Sequence, residues 1–161
     1  MRYNIKTIPR WLIPHICGLT PNILNSLLSA LIQKNASIKI KVVQKDENEK
    51  GERKLLNFGH TLGHALETQY ELAHGQAISI GMAYASMLSM QLMNFKDPDR
   101  IVALLERYGL PAFAEFDKVK VFHILKMDKK KEKESIHFIL LERIGKAIIR
   151  QIPIQQIQGT L

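Results

Sequence analysis

Two histidines flanked by glycines stand in the run Asn57-Phe58-Gly59-His60-Thr61-Leu62-Gly63-His64-Ala65-Leu66-Glu67, and a third, His74, follows just before Gly75. On a helix His60 and His64 fall one turn apart on one face, a spacing at which two imidazoles converge on one metal ion. A lone histidine on a partly apolar helix is ordinarily packed or solvated. Three so close together, two of them beside glycine, point instead to a metal or a phosphate-like ligand. Gly59 and Gly63 would each cost about 1 kcal/mol relative to alanine inside a helix. Their presence implies a close ligand, a close neighbouring backbone, or a helix that begins near Gly59. The protease pattern His-Glu-x-x-His is excluded, because Thr61 stands where the glutamate would be.

Further polar residues lead into the histidines: Lys39, Lys41, Glu49, Arg53 and Asn57. Arg53 and Asn57 are again four apart and would share the His60/His64 side if the helix started early enough. Taken alone, Glu49 to Lys54 reads as a solvated, charged loop. Lys129-Lys130-Lys131 likewise reads as an exposed basic run, which in a phosphate-handling enzyme supplies point charges for the phosphate.

The elements that must hold these side chains are mostly helical. Pro9, Pro14, Gly18 and Pro21 break the first stretch into short pieces. Thr20-Pro21 is a helix start, a capping hydroxyl followed by proline at the first helical position. Ile23, Leu24, Leu27, Leu28 and Leu31 keep helical spacing, with a stop expected at Asn35 and a second helix from Ser37 to Gln44. Asp46 to Gly51 is a polar loop. Helices are expected over 57–68 and 75–94, then from Asp97-Pro98 to Tyr108 with Gly109 closing, then after the cap Asp117. Ile136–Leu141 and Lys146–Ile152 are rich in β-formers around Gly145, a hairpin signature. The fold class is mainly α, multi-helical, with a small β-hairpin near the end.

Composition sets outer bounds. The 161 residues suffice for one domain with a proper core, and 46% hydrophobic with 24% charged residues is ordinary for a globular protein. One cysteine, Cys17, excludes an internal disulfide framework and fits a reducing compartment. The net charge of +8 lacks an arginine-rich tail or an aromatic platform, so a small acidic ligand is favoured over nucleic acid. No signal peptide is visible, and the apolar run Ala77–Met93 is short and carries serines, which suits a buried helix rather than a membrane span. A cytoplasmic protein is expected.

Lys39-Ile-Lys-Val-Val43, Asp46-Glu47, the string Arg53 to Glu67 and His74-Gly75 together resemble the 3-dehydroquinate synthases in order and approximate spacing. Lys126-Met-Asp-Lys-Lys130 and Ile139-Leu-Leu-Glu-Arg-Ile-Gly145 resemble a second block of that family. The resemblance implies the multi-helical C-terminal domain of the dehydroquinate synthase fold over 1–161, without the N-terminal half that binds NAD. Such enzymes convert 3-deoxy-D-arabino-heptulosonate 7-phosphate to 3-dehydroquinate plus phosphate, in aromatic amino-acid biosynthesis by the shikimate pathway. They are phosphate-eliminating lyases that use NAD and a zinc or cobalt ion, and a homodimer is expected by analogy.

Matched position by position, the resemblance makes His60 and His74 the metal ligands and turns His64 to substrate. Lys39, Arg53 and Asn57 match substrate-binding positions, Glu49 an acidic residue near the substrate, and Lys129 or Lys130 the phosphate. Lys39, Glu49, Arg53, Asn57 and His64 form the catalytic set. The third metal ligand is a glutamate expected upstream, and no glutamate precedes Glu47. Gln76 stands where the family often has glutamate, removing a charge near the metal. No residue is assigned to NAD, no Gly-x-Gly-x-x-Gly occurs, and the chain alone is expected to be inactive. Two other readings remain: a sugar-phosphate cyclase with a different substrate, and a non-catalytic helical module that binds a phosphorylated ligand or a partner.

Overall fold

The computed structural model describes residues 21–127 and 135–161. The expectations for the segment before Pro21, for Cys17, and for Lys129 and Lys130 therefore lie outside the described residues. The chain divides into two compact units, Met1–Arg53 and Lys54–Leu161.

In the first unit one helix, α1, runs unbroken over Pro21–Lys45. The expected stop at Asn35 and restart at Ser37 are not found. No glycine or proline interrupts this stretch; Ala36 favours helix, and Asn and Ser cost at most about 0.7 kcal/mol relative to alanine. Asn35 does not turn the chain; its Nδ2 donates to the Leu31 carbonyl one turn back, at 2.8 Å. Leu27, Leu31, Ile32, Ile38 and Ile40 on α1 are each more than half exposed. After α1 the chain turns at Asp46, and Glu49 takes a left-handed conformation, φ 54°. A 3₁₀ turn then spans Glu52–Asn57.

The second unit is built around two helices, α2 (His60–Gln69) and α3 (His74–Met93). Helix α2 buries Leu62, Ala65 and Leu66 on one face, the i, i+3, i+4 pattern of a core-facing stripe. Helix α3 is buried on most sides, which is why the Ala77–Met93 run is so apolar. Among the described residues no helix is long and apolar enough to cross a membrane. The α3 serines have partners inside the fold. Ser86 donates to the Met82 carbonyl at 2.8 Å, and Ser79 to the Pro111 carbonyl. Ser89 donates to Ala85 at 2.5 Å and accepts the Leu141 N–H at 2.9 Å, tying α3 to the hairpin.

Helix α4 (Pro98–Arg107) starts on proline and is closed by Gly109, φ 69°. Helix α5 (Lys118–Met127) is capped by Asp117, whose Oδ1 accepts the Val119 and Lys120 N–H groups at 3.0 and 3.1 Å. The antiparallel hairpin pairs β1 (Ser135–Arg143) with β2 (Lys146–Pro153), with Ile136 opposite Ile152 and Gly145 at φ 83° in the turn. A short helix, α6 (Ile154–Gln158), follows. Leu62, Leu88, Val121, Phe138, Ile152 and Ile157 share one core, so α2, α3, α5, the hairpin and α6 fold as one body. The mainly helical class with a terminal hairpin agrees with the sequence reading.

Candidate functional site

The α2–α3 contact is made by glycines. A Cβ on Gly59 would sit 2.6 Å from both Cγ and the backbone nitrogen of Met82, and Gly59 also has φ 83°. A Cβ on Gly63 would lie 2.8 Å from Ile78 Cδ1 and 3.0 Å from the Ala77 carbonyl. A Cβ on Gly81 would collide with the Gly59 carbonyl oxygen. Real Cβ contacts essentially never fall below 3 Å. Of the explanations open for Gly59 and Gly63, a close neighbouring backbone is therefore the one observed, with α2 beginning just after Gly59.

That close approach gathers the three histidines. The ring centroids of His60 and His64 are 5.2 Å apart, those of His60 and His74 5.8 Å, and those of His64 and His74 6.0 Å. His60 is half-buried, whereas His64 and His74 are exposed. The Nδ1 of His60 lies 3.3 Å from the Phe58 carbonyl, and the Nδ1 of His74 lies 3.0 Å from Glu67 Oε2. One donor atom from each of His64, Glu67 and His74 falls within 4.8 Å of the others. A set of imidazole and carboxylate donors at this separation suits a borderline ion such as zinc or cobalt. Beside it, Thr61, His64, Glu67, Ile124, Leu125 and Met127 line a groove of about 630 Å³ between α2 and α5.

Glu67 is the residue that sequence reading left without a role. The signal was present: with His60 and His64 it makes an i, i+4, i+7 series on one helix face. Gln76 is the second surprise. Its Oε1 accepts the Ala73 N–H at 3.2 Å, and its own N–H donates to the Ala73 carbonyl at 2.8 Å. It caps α3 at the turn that carries His74.

Lys39, Glu49 and Arg53 belong to the first unit, Asn57 and the histidines to the second. Lys39 is exposed on α1. The idea that Arg53 and Asn57 share one helical side is not supported, because α2 begins only at His60 and residues 52–57 form a 3₁₀ turn. At three residues per turn, positions four apart point about 120° away from each other. Arg53 donates from Nη1 to the Glu47 carbonyl at 2.7 Å, with Nε 3.9 Å from Glu49 Oε2. The loop is held by Asp46, which accepts the N–H groups of Lys50, Gly51 and Arg53 at 2.9, 2.7 and 3.1 Å. Those donors, Gly51 foremost and then Lys50, pull the Asp46 carboxyl below its usual value.

Comparison with known proteins agrees with this architecture. Residues 12–131 match the family described as 3-dehydroquinate synthase C-terminal. The chain is 40% identical over 140 residues to the 3-dehydroquinate synthase of Thermoanaerobacter pseudethanolicus, covering 83% of this chain and 39% of that protein. It is 36% identical to the enzyme of Streptococcus agalactiae, covering 98% of this chain and 46% of that one. The chain thus spans less than half the length of these relatives. The fold also matches 2-deoxy-scyllo-inosose synthase, solved with carbaglucose-6-phosphate, NAD+ and Co2+, at a TM-score of 0.66 and 27% identity over 76% of this chain and 38% of that one. With three-quarters of its length in the family match, including the Gly59–His74 seam, the chain belongs to the 3-dehydroquinate synthase C-terminal family.

Proposed function

We propose that this chain is the metal- and substrate-binding C-terminal domain, over 1–161, of a 3-dehydroquinate synthase acting on 3-deoxy-D-arabino-heptulosonate 7-phosphate. The observation that carries the reading is the convergence of His60, His64 and His74 across a seam that Gly59, Gly63 and Gly81 keep close. His60 and His74 would hold Zn2+ or Co2+, two imidazoles whose ring centroids lie 5.8 Å apart and whose nitrogens suit such an ion. When bound, the ion supplies Lewis-acid polarisation of a substrate hydroxyl. NAD, the hydride acceptor of the family, would be bound by a region outside this chain.

The chain's own residues divide the remaining work. His64 is exposed and lines the α2–α5 groove, where an imidazole nitrogen can hydrogen-bond a substrate or relay its proton. Asn57, Lys39 and Arg53 are assigned to the substrate, Arg53 as a planar fork for carboxylate or phosphate. Glu49 is assigned to the acidic position beside them, and Lys129 or Lys130 to the phosphate. A homodimer and a cytoplasmic location complete the reading by family analogy, with no nucleic-acid or membrane partner.

Cobalt titration of the 161-residue chain tests the metal assignment. His60→Ala and His74→Ala are each expected to weaken binding at least tenfold, and His64→Ala much less. Unchanged affinity in the first two variants would remove the assignment and favour a non-catalytic module. Turnover of the heptulosonate phosphate by this chain with NAD and cobalt would overturn the expectation that it is inactive alone. The likeness to 2-deoxy-scyllo-inosose synthase gives a second reading some weight, a cyclase for another sugar phosphate. Competitive turnover assays on a full-length protein carrying this domain separate the two.

A further inference from the structure

We propose that Glu67 is a positioning residue for His74, fixing the ring so that Nε2 carries the lone pair offered to the metal. The inference rests on the metal assignment above and extends it to a residue outside that ligand set. Glu67 Oε2 lies 3.0 Å from His74 Nδ1, the distance of an N–H···O hydrogen bond. An ionised carboxylate can only accept, so the hydrogen belongs to Nδ1. In a neutral imidazole with Nδ1–H, the lone pair resides on Nε2.

His60 repeats the arrangement by a different route. Its Nδ1 lies 3.3 Å from the Phe58 carbonyl, which also can only accept, so its ring too presents Nε2. The two histidines assigned to the metal thus have the same nitrogen occupied, one by a backbone carbonyl and one by a carboxylate. Such outer partners set tautomer, orientation and basicity of metal-binding histidines. The need differs between the two rings. His60 is half-buried at the seam, while the His74 side chain is 58% exposed on the first residue of α3, where packing cannot hold it. Glu67, projecting from the histidine face of α2, supplies the restraint from across the seam.

The main competitor is direct coordination by Glu67, since one atom each of His64, Glu67 and His74 lies within 4.8 Å of the others. In that case His74 Nδ1 would have to give up its proton or turn away. A simple solvated ion pair is the other competitor. Long-range ¹⁵N–¹H spectra of the metal-free chain should show His60 and His74 as Nδ1–H tautomers. Glu67→Ala should weaken Co2+ binding by about 10- to 100-fold. Glu67→Gln, which keeps an accepting oxygen, should recover most of that loss. Both variants at saturation should show the wild-type cobalt visible spectrum.

An Nε2–H tautomer for His74 in wild type overturns the proposal, as does a changed cobalt spectrum in Glu67→Gln, which would make Glu67 a ligand. Unaltered affinity in Glu67→Ala reduces the contact to a solvated pair and also overturns it. Those failures leave the His60/His74 assignment standing. Failure of that assignment has a different signature: cobalt binding absent, or indifferent to His60→Ala and His74→Ala. Glu67 then has no metal role whatever the tautomers show. Unchanged far-ultraviolet dichroism and melting of the Glu67 variants, expected for a partly exposed side chain outside the core, exclude misfolding as the cause.

Discussion

The α2–α3 seam and the Asp46–Arg53 loop both hold candidate site residues in place, and they do so by opposite means. At the seam, order comes from exclusion: three glycines bring two backbones together, and the surrounding core leaves no slack. In the loop, order comes from attraction: one carboxylate gathers three N–H groups at a solvated surface. A geometry fixed by packing is cooperative with the whole unit and insensitive to pH. One fixed by an exposed carboxylate is local and can be titrated away. The backbone that carries the histidines therefore inherits the rigidity of a core, and the Arg53 region has that of a hydrogen-bonded turn.

The contrast is tested most severely at the seam. Gly81→Ala would drive a methyl into the Gly59 carbonyl, and overpacking of that kind costs about 1–3 kcal/mol or more. Gly59→Ala adds the left-handed penalty of roughly 1–2 kcal/mol to a clash with Met82. A loss of about 3 kcal/mol would lower the melting midpoint by roughly 6–12 °C in a chain of this size, and cobalt binding should weaken alongside. Gly63→Ala should cost less, since Ile78 Cδ1 can swing aside even though the Ala77 carbonyl cannot. Melting of Gly81→Ala with the wild type would show that the helices can separate at no cost, and the seam would no longer explain the histidine geometry.

The loop should respond in a different currency. Asp46→Ala is expected to leave the melting of Lys54–Leu161 unchanged while amide exchange at Lys50 and Gly51 accelerates tenfold or more. The pH dependence follows from the depressed Asp46 carboxyl. Its contribution is fully present above the ordinary value of 3.8 and is lost as pH falls through the lower folded value. The Lys50 and Gly51 amide resonances should therefore stay fixed from neutrality to about pH 4 and move only below it. Movement at higher pH, or a drop in the melting of the second unit, would erase the distinction between the two regions.

The same distinction governs what could be read from sequence. Local chemistry was legible: the i, i+4 histidines, Pro98 opening a helix, Asp117 as a cap and Gly145 in a hairpin are all patterns within a few residues. The seam was half legible. Gly59 and Gly63 announced a close approach, but not to what, because Gly81 lies in a helical run 18 residues beyond Gly63 and nothing local marks it. Glu67 needed the same long-range information, since its partner is on the next helix. The expected break at Asn35 is absent for the converse reason: the local preference of Asn against helix is weak, and no glycine or proline in residues 22–45 adds to it.

The smallest expected effect bears on how far the seam alone controls His74. Gln76 sits at the third position of α3 and accepts the Ala73 N–H through Oε1. Gln76→Glu keeps the accepting oxygen, makes the bond charge-assisted and places a negative charge at the positive end of a helix. That should stabilise the chain by about 0.3–1 kcal/mol at low ionic strength, less in salt. Gln76→Ala should destabilise it by about 0.5–1 kcal/mol through loss of the cap. Cobalt affinity is the sharper reading. If packing at Gly59, Gly63 and Gly81 sets the position of His74, Gln76→Glu changes affinity by no more than about threefold, the ~0.7 kcal/mol scale of an exposed charge. A tenfold gain would mean that the charge at the helix start acts on the ion directly, and that the glycine seam supplies only part of the geometry.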